Sequence, residues 1–350
     1  MTQRIEWIDS AKGLGIILIF VGHIWSLHDT SVFYDWMYAF HVPLFFFVSG
    51  LTLKTHVGPF LGLVVRKVRT ILAPYFFYAF IGYVFYVGGY IAASLAGRQI
   101  EQFDYGLLYP LLGIFHGTLG DGNLVNSPLW FLPALFITFL IGYAVNTYIS
   151  RHGLRVLVVA SLTALGIWIG EDLQVPFGMV PALIALAFFQ AGYYFHHFNV
   201  ASRIPRGGKW LLLLLLFPLS LAAPVNGFVG MGRGVVNDPV LFLLFAFGGV
   251  LMSTLLVQLL GARGQMLAWV GQHSLAILVI HMLIIKSVKV LIVVLFGIDL
   301  QTMEASLWLG LVVLSVSTLI MIPSVYVMER WLPFSLGRTQ RLAGGGTNPA

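Results

Sequence analysis

The chain has 350 residues, of which 59% are apolar and only 9% are charged, and its formal net charge is +6. Soluble domains average about 25% charged residues, so this composition excludes an ordinary soluble domain and indicates a membrane protein. The absence of cysteine excludes disulfides and thiolate chemistry. In a membrane chain the basic excess marks the cytoplasmic face rather than a nucleic-acid partner.

Apolar runs of the roughly 20 residues that cross a bilayer recur along the chain. We predict an all-α polytopic integral membrane protein with about ten transmembrane helices. The ten predicted segments are 11–27, 34–53, 72–93, 130–149, 154–169, 177–195, 210–224, 239–260, 268–292 and 305–327. With both termini in the cytoplasm, most Lys and Arg residues fall in cytoplasmic loops and most acidic residues fall outside, as the positive-inside rule requires. The predicted location is the cell inner (cytoplasmic) membrane.

The domain organisation predicted from the sequence is simple. Residues 1–333 form one transmembrane domain, and the Gly-rich, polar residues 334–350 form a flexible cytoplasmic tail. The first apolar run lacks a signal-peptide cleavage site, so we expect its helix to remain. Residues 54–71 are expected to form a cytoplasmic connection with a short amphipathic helix. Residues 105–119 are expected to form an outer-face or re-entrant segment that does not cross the membrane.

The first apolar segment carries a basic group at its start and a histidine deep inside it. Lys12 and His23 are 11 positions apart, which places them within about 20° of one helix face and roughly 16 Å apart along the axis. A titratable residue inside a span is a candidate functional residue. Burial favours a neutral imidazole, which makes His23 the best candidate for a general base. Lys12 either forms an i,i+3 ion pair with Asp9 or meets an anionic ligand from the cytoplasm.

Three histidines on different segments are predicted to share one depth. His23, His41 and His281 each lie roughly 20 Å from the cytoplasmic side of the membrane. They either form one site or are separate core histidines that bond to the backbone and to neighbouring Ser and Tyr residues. Ser274 lies seven positions before His281 and shares its helix face.

The segment that begins at His41 contains a proline and a small-residue pair. Pro43 is predicted to break the helical hydrogen-bond ladder. Ser49 and Gly50 are predicted to let two helices pack closely.

Two guanidinium groups follow in the next connection. Arg66 and Arg69 are at i,i+3 and share a helix face, so they are suited to clamp a phosphate. The alternatives are ordinary positive-inside topology or contact with anionic lipid headgroups.

Further along, two aromatic residues stand at the predicted outer interface. Trp130 and Phe131 are either part of an aromatic belt or a platform for a sugar ring.

Together these residues resemble the membrane acyltransferase 3 family, particularly its fucose 4-O-acetylase-like branch. The resemblance covers nearly the whole chain, and its motifs occur in the family's order. The motifs are Lys12 followed by ten residues and His23, the His-Val-Pro-Leu-Phe-Phe-Phe-Val-Ser-Gly run from His41, the Arg66-x-x-Arg69 pair, the Leu-Trp-Phe-Leu stretch around Trp130, and the late Gly-x-x-Ser…His that ends at His281. Lys12 stands where much of the family has arginine, and a lysine cannot bind a phosphate in bidentate fashion. The chain resembles the stand-alone type without an SGNH hydrolase-like domain.

The resemblance implies an O-acetyltransferase that moves an acetyl group from cytoplasmic acetyl-CoA to a hydroxyl of a cell-envelope or exopolysaccharide sugar. Acetyl-CoA is then a co-substrate, no metal is needed, and the partners are a glycan or lipid-linked saccharide and membrane lipid. His23, Lys12 and His281 are the implied catalytic residues, and Lys12, Arg66 and Arg69 would hold the CoA phosphates. The implied acceptor-binding residues are Asp9, His41, Ser49, Trp130, Phe131 and Ser274.

Other functions remain compatible with the sequence. One is a transporter or flippase that moves a lipid-linked saccharide or an acyl group without chemistry, although no inverted repeat supports it. Another is an unrelated membrane acyltransferase that acts on a lipid or a protein. The sequence also leaves open a succinyl or other short acyl donor and a nucleophilic role for His23.

Overall fold

The computed structural model describes residues 6–25, 31–55, 59–97, 103–120 and 124–338. Apart from one isolated β-bridge, its regular elements in these ranges are helices. The α-helices are α1 (Glu6–Gly22), α2 (Val32–Tyr38), α3 (His41–Leu51), α4 (Phe60–Lys67), α5 (Ala73–Leu95), α6 (Leu108–His116), α7 (Phe131–Tyr148), α8 (His152–Ile169), α9 (Met179–His197), α10 (Val200–Arg203), α11 (Arg206–Leu221), α12 (Pro239–Leu260), α13 (Gln265–Gln272), α14 (Ser274–Phe296), α15 (Leu300–Ala305) and α16 (Leu307–Trp331).

Eight helical stretches within the described residues are long and apolar enough to cross a membrane. They are Phe60–Leu95, Ser127–Tyr148, His152–Ile169, Pro176–His197, Arg206–Asn226, Pro239–Gln272, Ser274–Phe296 and Leu307–Trp331. The chain is therefore an all-α polytopic membrane protein, as predicted. Of the other two predicted segments, the first corresponds to α1, which has 17 residues, and the second is divided between α2 and α3.

The break in the second predicted segment does not lie at Pro43. The chain leaves the helix at Ala39 and Phe40 and re-enters it at His41. Pro43 is the third residue of α3, in the first turn, where a backbone N–H has no intrahelical partner and its loss is harmless. Pro43 therefore helps to start a helix here, and the break lies just before it.

The connection predicted at 54–71 is also different. The short helix α4 is present, but it runs without a loop through a π-turn, Val68–Leu72, into α5. Pro74 accounts for the π-turn because it has no N–H to offer the carbonyl of Thr70, and a wider turn accommodates the lost bond. Arg66 and Arg69 therefore lie on one long helix and not in a separate connection.

The segment at 105–119 contains only the nine-residue α6. Nine helical residues reach roughly 14 Å, which is about half of a 30 Å bilayer core. This agrees with the prediction of a segment that does not cross the membrane.

Reciprocal glycines bring two helix pairs into backbone contact. Gly13 of α1 and Gly271 of α13 each face the other helix so closely that an added Cβ would overlap a backbone carbonyl. Gly50 of α3 and Gly192 of α9 do the same. The close packing predicted at Ser49–Gly50 is thus present, and it fixes α3, which begins at His41, against the centre of the bundle.

The first residues of the predicted tail belong to the folded structure. Pro333–Leu336 form a 3-10 turn, in which the hydroxyl groups of Ser335 and Tyr78 are 2.7 Å apart and Leu336 is buried. Residues 333–336 therefore pack on the transmembrane helices, and the buried side chain of Leu336 is the physical reason. Residues 339–350 lie outside the described residues.

Candidate active site in an intramembrane cavity

A cavity of about 530 Å³ lies beside the end of α1, the α2–α3 break and α14. Described residues within 119–120, 124–131 and 228–233 complete its wall. Its described lining residues are Ile19, His23, Tyr38, His41, Val42, Tyr86, Tyr105, Leu119, Gly120, Leu124, Val125, Ser127, Pro128, Trp130, Phe131, Phe228, Val229, Gly230, Met231, Gly232, Arg233, Leu278, Met282 and Lys286. The lining is mainly apolar, with a few polar groups, as is usual for a ligand pocket.

His23 stands at the end of α1 and lines this cavity. The last α-helical residue is Gly22, and the backbone N–H of His23 still bonds to the carbonyls of Ile19 and Phe20 (3.2 Å each). Its imidazole therefore projects from a tethered turn. A side chain held in this way can meet a ligand without a large change of backbone.

The ring of His281 lies beside that of His23, with 5.3 Å between centroids and 40° between planes. His281 is fully buried, and its Nδ1–H donates to the carbonyl of Leu278 (2.9 Å). This bond makes Nδ1 the protonated nitrogen of the neutral ring and leaves Nε2 as an acceptor. Nε2 has no hydrogen-bond partner among the described residues. His281 can thus stabilise a positive charge that develops on His23.

His41 is held in the same tautomer. Its Nδ1–H donates to the carbonyl of Met37 (2.8 Å), and its ring meets that of Tyr38 edge to face at 4.6 Å. His41 and His23 line one cavity. The three histidines predicted at one depth therefore do come together, although His41 and His281 also make the backbone bonds expected of core histidines.

Aromatic rings form part of the cavity wall. Trp130 and Phe131 line it, as does Phe228, whose ring packs against Tyr38 at 5.3 Å between centroids. Tyr38 and Phe228 were not predicted from the sequence. Nothing local distinguishes them from the other aromatic residues of the chain, since only the fold brings Phe228 to Tyr38.

Two basic residues of the cavity were also missed. Lys286 and Arg233 both line it. A sequence signal for Lys286 did exist: Lys286 follows Met282 by four positions and Leu278 by eight, in a mainly apolar span. Such a lysine is a candidate functional residue by its position alone.

Seven predicted site residues are not among the lining residues of the cavity: Asp9, Lys12, Ser49, Arg66, Arg69, Ser274 and His281, although the ring of His281 lies beside that of His23. Lys12 makes the predicted ion pair with buried Asp9 (3.5 Å), and 32% of the Lys12 side chain is exposed. Ser274 is the first residue of α14, roughly 10 Å along the axis from His281.

The two arginines lie on an open surface. Arg66 and Arg69 are both exposed, and both can meet a ligand from that side. Lys67, between them, is turned inward, with Nζ 3.2 Å from the centre of the Phe139 ring. Within the described ranges, no group of three His, Asp or Glu side chains is arranged to hold a metal ion.

Comparison with known protein families identifies the family of this chain. The profile of the acyltransferase 3 family, described as an acyltransferase domain, matches residues 5–327. No curated protein and no solved structure matches the chain. The matched region contains the cavity and nearly all of the described helices, and it favours acyl transfer over transport without chemistry. The chain therefore belongs to the acyltransferase 3 family and is a multi-pass membrane acyltransferase.

Proposed function

We propose that the protein is an O-acetyltransferase of the cell inner membrane that moves acetyl from cytoplasmic acetyl-CoA to a sugar hydroxyl of the cell envelope. The observation that supports this most is the position of His23. It lines a cavity large enough for a sugar unit, with the His281 ring 5.3 Å away. Aromatic faces such as Trp130 and Phe131 suit the apolar faces of sugar rings.

The reaction follows from these groups. The imidazole of His23 takes the proton of the acceptor hydroxyl as its oxygen attacks the thioester carbonyl. The tetrahedral intermediate then collapses, the C–S bond breaks, and the CoA thiolate receives the proton from His23. His281 stabilises the transient imidazolium through its unprotonated Nε2, and His41 positions the acceptor from the α3 side of the cavity.

The donor is proposed to approach from the cytoplasmic end of α1. One helix joins Lys12 to the turn that carries His23, and the rise between them is roughly 16 Å. An extended pantetheine arm has a comparable reach. The CoA phosphates would then remain with Lys12, Arg66 and Arg69 while the thioester meets His23.

The function is tested by mass spectrometry of envelope polysaccharide from cells with and without this chain. We expect one acetyl group per repeat unit to depend on the chain. An acylated lipid or protein in place of a glycan would point to a different acceptor, and a succinyl group would point to a different donor.

The donor site is tested by the double variant Arg66→Ala, Arg69→Ala. We expect the KM for acetyl-CoA to rise at least about 10-fold, because each charge-assisted hydrogen bond to a phosphate contributes about 1.5–3 kcal/mol. The matched control is Arg151→Ala, Arg203→Ala, which removes two other exposed arginines. Equal donor affinity in the two double variants would assign Arg66 and Arg69 to membrane topology alone.

A further inference from the structure

The charged residues among the described lining of the cavity are basic. Its described lining includes the basic residues Lys286 and Arg233, but no aspartate or glutamate. The charge of Lys286, which lies inside the mainly apolar helix α14, is costly unless something compensates it. A ligand anion is one such group.

Lys286 is the better defined of the two basic residues. Its Nζ donates to the backbone carbonyl of Val125 (2.9 Å), which uses one of three N–H groups and neutralises no charge. The next lysine of α14 is different, because the Nζ of Lys289 pairs with Glu304 at 2.9 Å. Lys289 therefore has a carboxylate partner, whereas Lys286 lines the cavity.

Arg233 reaches the same cavity from a separate part of the chain. It ends a short 3-10 turn, Met231–Arg233, enclosed by the β-bridge between Gly230 and Val235. Gly232 packs so closely on Trp130 that an added Cβ would lie 2.6 Å from the indole ring. The turn is thus fixed against the aromatic wall, and a guanidinium suits a carboxylate or phosphate.

We propose that the acceptor is an anionic saccharide, whose carboxylate or phosphate binds Lys286, with Arg233 as the second basic group. Trp130 and Phe228 flank its sugar ring, and His23 faces the hydroxyl that is acylated. This identification of the ligand as the acceptor rests on the proposed function. A uronate within the sugar and the pyrophosphate of a lipid-linked saccharide have the same anionic chemistry.

The test measures binding to the purified full-length protein in lipid nanodiscs by tryptophan fluorescence, without acetyl-CoA. The ligands are a glucuronate-containing tetrasaccharide, the same tetrasaccharide with its carboxylates reduced to alcohols, and the reduced form on a polyprenyl pyrophosphate. We expect the wild type to prefer an anionic ligand over the reduced tetrasaccharide by about 10- to 100-fold, the range for an ionic hydrogen bond in a desolvated site. Preference for the uronate or for the pyrophosphate identifies the source of the anion.

Three variants show whether Lys286 causes the preference. Lys286→Met should abolish it, Lys286→Arg should restore most of it, and Lys209→Met, which changes a lysine away from the cavity, should leave it intact. The inference fails if the wild type binds the three ligands equally or binds none of them. It also fails if Lys286→Met keeps the wild-type preference. Since no donor is present, a failure of acetyl transfer in cells would not alter this result.

Discussion

Replacing His23 with alanine is expected to lower kcat for acetyl transfer by about 10²- to 10⁴-fold, the usual contribution of a general base. Alanine cannot take the proton of the acceptor hydroxyl, and the neighbouring His281 is fully buried. The measurement is acetyl transfer from acetyl-CoA to an envelope saccharide by the purified variant. Its KM for acetyl-CoA should change little, because the proposed donor-binding residues lie elsewhere.

His196→Ala is the matched control, since His196 is an exposed histidine at the end of α9. Near wild-type turnover by His23→Ala would remove His23 from the mechanism. If His41→Ala then abolished turnover, the role of base would pass to His41, which lines the same cavity. Incubation of the wild type with acetyl-CoA alone, followed by mass spectrometry, separates the two roles of His23: an acetylated His23 indicates a nucleophile.

The second large effect is expected at a helix contact. Gly50→Ala should destabilise the protein by about 1–3 kcal/mol, as overpacked sites do. The new Cβ would overlap the carbonyl oxygen of Phe189, so α3 and α9 must separate. The measurement is the unfolding temperature in detergent. Activity should also fall, because α3 begins with His41 and a shift of this helix moves one wall of the cavity.

Gly88→Ala provides the control for this prediction. Gly88 lies inside α5, and outside the adjoining backbone of α5 no neighbouring group lies within 4 Å of the position of its added Cβ. Alanine is preferred over glycine in a helix by about 1 kcal/mol, so this variant should be as stable as the wild type or more so. If Gly50→Ala and Gly88→Ala unfolded at the same temperature, α3 and α9 would not be in close backbone contact at Gly50.

The helical membrane fold follows from the sequence because it depends on local composition. Any run of about 20 apolar residues must satisfy its own backbone hydrogen bonds in lipid, and a helix does so without help from distant residues. Spacing along one helix is local as well: Lys12 lies on α1, and His23 lies on the turn that directly follows its last residue, Gly22. The prediction that Pro43 breaks a helix was wrong, because this proline lies in the first turn of α3 and not in the interior of a helix.

Five residues of the candidate site were predicted from the sequence for the same reason. His23, His41 and His281 were predicted at similar depths in separate apolar segments, and the depth of a residue can be predicted from its own segment alone. Trp130 and Phe131 stood at a predicted interface. These positions indicated a site within the membrane before any packing was known.

The tertiary structure alone decided which side chains share the cavity. Phe228 meets Tyr38, and Arg233 joins Lys286, because distant segments fold against α1, α3 and α14. The tertiary structure also determines that Lys289 pairs with Glu304, whereas Lys286 faces the cavity. The sequence determined the all-α membrane fold of this protein, since each apolar helix depends on residues near one another in the chain, and its ordered motifs determined the family. The shape and charge of the cavity depend on contacts between residues far apart in the chain, which only the packed helices bring together.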